Sequence, residues 1–121
     1  MPQLTVIMPA YRAGATVESA MRSTLRAMPR DSELVVSVDG PDAETERAAH
    51  RVADRRVVVR ENAVNVGTVA RMREALDTTD SAFVARTDAD DLSLPWRFTA
   101  SMRALGHADI VCGGGVRFGQ G

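Results

Sequence analysis

The chain has 121 residues, a net charge of −1 and 45% hydrophobic residues, which fits one compact domain with a real core. Its 15 basic residues are all arginines and are balanced by 16 acidic residues, so the composition excludes a basic footprint and we expect no nucleic-acid partner. The single cysteine, Cys112, excludes an internal disulfide and fits a reducing, cytoplasmic location. The first residues lack a charged leader and a long apolar run, so we expect no signal peptide and no membrane span.

Short apolar runs alternate with helical apolar spacings along the chain. The runs predict strands at 4–8, 33–38, 57–59, 83–85 and 109–112. The spacings predict a first helix from about Thr16 to Met28 and a second, capped by Asp42, that continues to about Ala53. A third helix is predicted to end near Asp77, with Val69, Met72 and Leu76 facing inward. A fourth is predicted to begin at Leu94-Pro95-Trp96 and to end at Gly106. This alternation favours a three-layer α/β/α domain with a mainly parallel sheet and helices on both faces.

The acidic segment, residues 87–92, is the most informative stretch. Its carboxylates, Asp88, Asp90 and Asp91, follow the strand predicted at 83–85. Three acidic groups this close repel one another unless water, a cation or cationic side chains neutralise them, and hard cations such as Mg²⁺ prefer oxygen ligands. Open α/β sheets hold ligands at the carboxyl ends of their strands. The segment therefore predicts a metal site, and the alternative is a solvated acidic turn that caps the next helix.

Two other predicted strands end in distinctive residues, namely Pro9-Ala10-Tyr11 and Asp39-Gly40. Because the carboxyl ends of parallel strands meet at one edge of a sheet, we expect these residues and the acidic segment to form a single site.

Several other phosphate, metal and catalytic sites are excluded. A P-loop needs a lysine, and the chain has none. The run Gly113-Gly114-Gly115 lacks the spacing of a dinucleotide fingerprint. Leu92 and Ser93 stand where an EF-hand needs a ligand and a glycine. Two scattered histidines, His50 and His107, are expected at the surface and give no support for an acyl-transfer triad.

Four motifs together resemble the family-2 glycosyltransferases, which have the GT-A fold. They are Leu4–Tyr11, Glu33–Gly40 with Asp42 and Glu44-Thr45 behind it, Asn65–Gly67, and Thr87–Asp91. In their order and spacing they cover residues 4 to 100 approximately. The resemblance implies transfer of a sugar from a nucleotide-diphosphate sugar to an acceptor hydroxyl, with inversion and usually with Mg²⁺ or Mn²⁺.

The resemblance also implies roles for individual residues. Pro9, Ala10 and Tyr11 would line the nucleotide pocket, with Tyr11 near the base. Asp39 would accept a hydrogen bond from a uracil-like base, which favours a UDP-sugar. The family usually has two acids before the glycine, whereas this chain has Val38 and then Asp39, and this difference leaves the nucleotide open.

Further implied roles concern the later motifs. Asp88, Ala89 and Asp90 match the motif that holds the ribose and the metal, and Asp90 or Asp91 would touch the cation. The segment after Gly67 departs from the family's commonest pattern by having Arg71-Met72-Arg73. We nevertheless expect Arg71 to contact the base or a phosphate, and the alternative is a solvated helix arginine. For Tyr11 and Trp96 the alternative is ordinary packing at the edge of the sheet.

No catalytic base is assigned in this chain. In the family the base lies in the second half of the fold, so we expect residues 1–121 to be the donor-binding half, inactive alone and prone to self-association through exposed surface. The acceptor and any peripheral membrane attachment stay open. Two other functions are a non-catalytic module that binds nucleotide diphosphates and a nucleotidyltransferase of the same fold. The second is disfavoured because the residues after the first strand offer only Arg12 as a basic group.

Overall fold

The computed structural model describes residues 2–104, in which strands and helices alternate. The strands are β1 (Leu4–Ala10), β2 (Ser32–Val38), β3 (Val57–Glu61) and β4 (Phe83–Arg86), and the helices are α1 (Val17–Ala27), α2 (Ala43–His50), α3 (Thr68–Thr78) and α4 (Arg97–Ala104). All neighbouring strands pair in parallel, in the order β3-β2-β1-β4. The predicted parallel α/β sheet is therefore confirmed. The strand predicted at 109–112, the helix end at Gly106, and His107, Cys112 and the glycine run lie outside the described residues.

The inner strands β1 and β2 separate two packed faces of the sheet. Residues such as Val6, Met8 and Val36 are fully buried in one core, which α1, α2 and Phe98 of α4 complete. Burying a side chain of this size contributes roughly 1.5–3 kcal/mol. On the other face α3 packs against β1 and β2, and the Oγ1 atoms of Thr5 and Thr79 lie 3.0 Å apart. Helices thus cover both faces, as predicted.

The first two helices follow their sequence signals closely. The predicted apolar stripe of α1 is buried from Val17 to Met28, because its residues recur on one face of the helix. Asp42 caps α2 as predicted, and its Oδ1 accepts a hydrogen bond from the Thr45 amide at 3.3 Å. The helix ends at His50 instead of Ala53, since the amides of Arg51 and Val52 donate to carbonyls three residues back and tighten the chain into a turn.

The predicted inward face of α3 is wrong. Val69 is 76% exposed, Leu76 is 48% exposed and Met72 is half-buried, whereas Arg71 and Ala75 are buried. The reason is a polar contact that apolar spacing does not reveal. The Arg71 guanidinium bonds the Asp39 carboxylate after β2, and this contact turns the 71/75 face of the helix toward the sheet.

Candidate functional site

The three distinctive strand ends lie on the same edge of the sheet, as predicted. Ala10 pairs with Val38 at the ends of β1 and β2, and the Asp39 amide then donates to the Ala10 carbonyl at 2.8 Å. On the other side of β1, the Thr87 amide donates to the Ile7 carbonyl at 3.0 Å directly after β4. The loop after β1 (residues 11–14, the β1 loop), Asp39 and the acidic segment therefore lie together at what we call the carboxyl-end edge.

Asp39 is a buried carboxylate held by three N–H donors. Its Oδ1 accepts from the Val66 amide at 2.9 Å and from Arg71 Nε at 3.0 Å, and its Oδ2 accepts from the Gly67 amide at 2.8 Å. Burial raises the pKa of Asp39, but these hydrogen bonds and the charge of Arg71 outweigh it and hold the pKa below its usual value. Of about four lone-pair positions on a carboxylate, the donors within residues 2–104 use three. Oδ2 accepts only one of these bonds, so it retains one further acceptor position.

Arg71 is the buried partner of that carboxylate. Its Nη1 donates to both carboxylate oxygens of Glu74, at 3.0 and 3.1 Å, and its Nη2 donates to the Val64 carbonyl. The alternative of a solvated arginine is therefore wrong. Burial lowers the pKa of Arg71, but its bonds to Glu74 and Asp39 outweigh that and raise it. The Arg71 guanidinium is thus a fixed positive charge, and its bond to the Val64 carbonyl ties the loop 62–67 to α3.

Two glycines allow the backbone to close around Asp39. Gly67 adopts a φ of 91°, a conformation that side chains disfavour, and this places its amide on Asp39. At Gly40, an added Cβ would lie 2.4 Å from the Asn62 carbonyl oxygen. Asn62 in turn donates from Nδ2 to the Val38 carbonyl at 2.8 Å. A side chain is thus excluded at Gly40 by close packing, whereas at Gly67 only the backbone conformation disfavours one.

The β1 loop, residues 11–14, is tied to the start of α2. Asp42 Oδ2 accepts hydrogen bonds from the Arg12 amide and from Thr45 Oγ1, both at 2.7 Å, and the Ala13 amide donates to Thr45 Oγ1 at 3.0 Å. Burial raises the pKa of Asp42, but these bonds outweigh it and the pKa is lowered. The sequence predicted Asp42 as the cap of α2 and as part of the motif that includes Gly40, but did not predict its bond to the Arg12 amide. This bond follows from the positive φ of 51° at Arg12, which aims the amide at the carboxylate.

The loop presents Tyr11 at the carboxyl-end edge. Its side chain is 47% exposed, and the Arg12 guanidinium lies 5.1 Å from the ring centroid. Pro9 and Ala10, by contrast, are buried within β1. Of these three predicted residues only Tyr11 exposes its side chain, and the nucleotide contacts expected of all three stay a prediction. Trp96 is 62% exposed, and ordinary packing at the edge of the sheet stays an alternative for both aromatic rings.

The acidic segment exposes all three of its carboxylates. Asp88, Asp90 and Asp91 offer oxygen atoms that lie within 4.8 Å of one another, whereas Thr87 and Ala89 are buried. Partial burial and the charges of Asp88 and Asp90 raise the pKa of Asp91, and Arg97 opposes that rise. Because a divalent cation would remove this repulsion, the donor set fits a hard metal such as Mg²⁺ or Mn²⁺. Asp88 is also paired with Arg86 Nη2 at 3.2 Å.

Solved structures share this architecture. The complex of S. aureus TarS 1–349 with UDP-GlcNAc superposes with a TM-score of 0.78 at 19% identity, over 90% of this chain and 32% of that one. The mannosyltransferase PcManGT from Pyrobaculum calidifontis, in complex with GDP-Man and Mn²⁺, gives a TM-score of 0.75 at 24% identity, over 88% of this chain and 33% of that one. The class defined by the fold is thus the GT-A glycosyltransferase domain.

The sequence places the chain within that class. It belongs to glycosyl transferase family 2, whose family model matches residues 5–121. EpsE of Bacillus subtilis (strain 168), which is named as a glycosyltransferase, is 29% identical over 107 residues, or 86% of this chain and 38% of EpsE. The chain thus spans about a third of the length of these relatives. No helix within residues 2–104 combines the length and apolar character needed to cross a bilayer.

Proposed function

We propose that the carboxyl-end edge binds a nucleotide-diphosphate sugar, with a divalent cation, for transfer of the sugar to an acceptor hydroxyl with inversion. One observation carries the proposal. The same edge holds a carboxylate cluster that fits a cation and a buried, ionised Asp39 with one acceptor position left. In support, TarS is described with UDP-GlcNAc and PcManGT with GDP-Man and Mn²⁺.

The nucleotide would occupy the side of the edge formed by β1 and β2. Tyr11 would stack against the base, and Asp39 Oδ2 would accept a hydrogen bond from a ring N–H of that base. Pro9 and Ala10 would shape the floor beneath it. Arg71 would act on the base mainly by fixing Asp39, because most of its donors are already bound to Asp39, Glu74 and Val64. We favour a UDP-sugar because uracil offers such an N–H.

The cation would occupy the side of the edge formed by β4. Asp90 and Asp91 would hold Mg²⁺ or Mn²⁺, with Asp88 and Ala89 beside the ribose. When bound, such a cation neutralises the charge that collects on the diphosphate leaving group.

The wider setting is part of the same proposal. Residues 1–121 form the donor-binding half, the general base and the acceptor site belong to another part of the protein, and the isolated chain transfers little or no sugar and self-associates. The support is that the matched relatives are about three times as long. The single cysteine supports a cytoplasmic location. We assign no catalytic residue within residues 2–104.

Calorimetric titration tests the proposal. UDP-, GDP- and dTDP-linked sugars are added to the chain with and without Mn²⁺, and the unaltered protein is compared with Asp90→Asn and Asp91→Asn. Asp80→Asn is the matched control, since Asp80 is exposed and precedes β4 at the opposite edge of the sheet. We expect Mn²⁺-dependent binding that both site variants abolish and the control retains. Equal binding by all four proteins would remove the metal site.

A further inference from the structure

Arg97, in the first turn of α4, contacts both ends of the acidic segment. Its Nη2 donates to the Arg86 carbonyl at 2.8 Å, and its Nη1 donates to Thr87 Oγ1 at 2.9 Å. The same Nη1 donates to Ser93 Oγ at 3.1 Å. Residues 86 and 87 precede the three carboxylates and residue 93 follows them. One guanidinium therefore joins the two ends of the loop that carries them.

The groups that Arg97 contacts are themselves fixed. Thr87 is buried and its amide is bonded to β1, as described above. Ser93 is also buried, and its amide donates to Ser23 Oγ on α1 at 2.9 Å. The next residue after the arginine, Phe98, is buried in the core. The hydrogen bonds of Arg97 to Arg86, Thr87 and Ser93, which we call the Arg97 bridge, thus link β4, α1 and α4 beneath a segment whose acidic side chains are exposed.

The bridge needs the shape of arginine as well as its charge. The planar guanidinium directs several N–H groups along fixed directions, whereas a lysine ammonium is a compact point charge on a flexible stem. Lysine at this position would keep a positive charge near Asp91 but could not reach the Arg86 carbonyl, Thr87 and Ser93 together. The charge and the geometry can therefore be separated by substitution.

We propose that Arg97 is a positioning residue for the candidate cation site, holding the two ends of the acidic segment so that its three carboxylates face one ion. The inference rests on the proposed function in one respect, that the segment binds a cation. Replacing a residue that orients metal ligands without touching the metal typically weakens metal affinity 10–100-fold.

Mn²⁺ alone, added to the 121-residue chain, is the probe. We expect Arg97→Lys to weaken Mn²⁺ affinity about tenfold although charge is kept, and Ser93→Ala, which leaves Arg97 intact, to weaken it by less. Arg103→Gln is the matched control, an exposed arginine on the same helix, and should bind as the unaltered protein does. Wild-type affinity in Arg97→Lys would overturn the proposal.

Amide hydrogen exchange without metal is the second readout. The amides of Thr87 and Asp91, which donate to Ile7 and Asp88, should exchange faster in Arg97→Lys, while those of the buried strand β1 stay protected and show that the variant is folded. Unchanged exchange at both amides would overturn the bridge itself. If the unaltered protein bound no Mn²⁺, the metal site of the proposed function would fail, and the exchange data would still decide whether Arg97 holds the segment.

Discussion

Asp39→Asn is the substitution that most directly tests the buried polar cluster. The carboxylate is 3% exposed and accepts three hydrogen bonds, from the amides of Val66 and Gly67 and from Arg71 Nε. An asparagine side chain has one oxygen, so its NH₂ group must face one of these donors. Arg71 would also keep only Glu74 as an anionic partner among the described residues, and the Glu74 side chain is 53% exposed.

The magnitude follows from these contacts. Removing one partner of a buried ion pair typically costs 3–5 kcal/mol. Because Arg71 retains Glu74 and the Val64 carbonyl, we expect the low end of that range, about 3 kcal/mol. This loss is a large part of the 5–15 kcal/mol by which domains are stable, so the variant should still fold but with a clearly lower urea midpoint.

Urea unfolding followed by circular dichroism measures the loss, with Asp80→Asn as an exposed control expected to change stability by less than about 0.5 kcal/mol. A double-mutant cycle with Arg71→Met isolates the pair. The double variant should cost less than the two single variants added together, because no uncompensated charge is left buried. A loss below about 1 kcal/mol for Asp39→Asn, or strict additivity in the cycle, would refute the reasoning.

Two further predictions concern stability. The pKa values of Asp39 and Asp42 are lowered as described above, and hydrogen bonds from Arg56 lower the pKa of Asp54. The stabilisation from these three groups is therefore present above the unfolded value of about 3.9 and is lost as pH falls through the folded values. The pKa of Asp91 is raised and acts in the opposite sense, but Asp91 is exposed, whereas Asp39 is buried and accepts three hydrogen bonds. The urea concentration at the unfolding midpoint should therefore decrease once the pH drops below about 4. A midpoint that stays constant between about pH 5 and 3 would contradict this. Gly67→Ala should cost about 1–3 kcal/mol in the same assay, because φ is 91° there although no atom crowds the added Cβ; an unchanged midpoint would show that the loop adopts another conformation.

Periodic and local signals carried the predictable part of the fold. The four strand runs before residue 90, the apolar stripe of α1 and the cap at Asp42 are each encoded within a few neighbouring residues, and the structure contains each of these. The position of the site could also be predicted from the sequence. Strands that alternate with helices pair in parallel, so their carboxyl ends lie at the same edge of the sheet.

The rest depended on contacts between residues far apart in the chain. The face of α3 was mispredicted because the bond from Arg71 to Asp39 spans 32 residues and outweighs the apolar spacing of Val69 and Leu76. Arg97 was missed because an arginine at the start of a helix is usually a surface residue. A usable signal was present nonetheless, since Thr87 and Ser93 flank the acidic residues and both can accept a hydrogen bond.

The central claim is that the β1 loop, Asp39 and the acidic segment form one binding site for a nucleotide and a cation. Amide NMR spectra recorded while UDP is added in the presence of Mg²⁺ test it most directly. We predict that the amides of Tyr11, Gly67 and Ala89 shift together with one dissociation constant and only when Mg²⁺ is present, while Gln3 and Val57 at the opposite edge do not move. Shifts confined to one of the three groups, or centred on the opposite edge, would contradict the account.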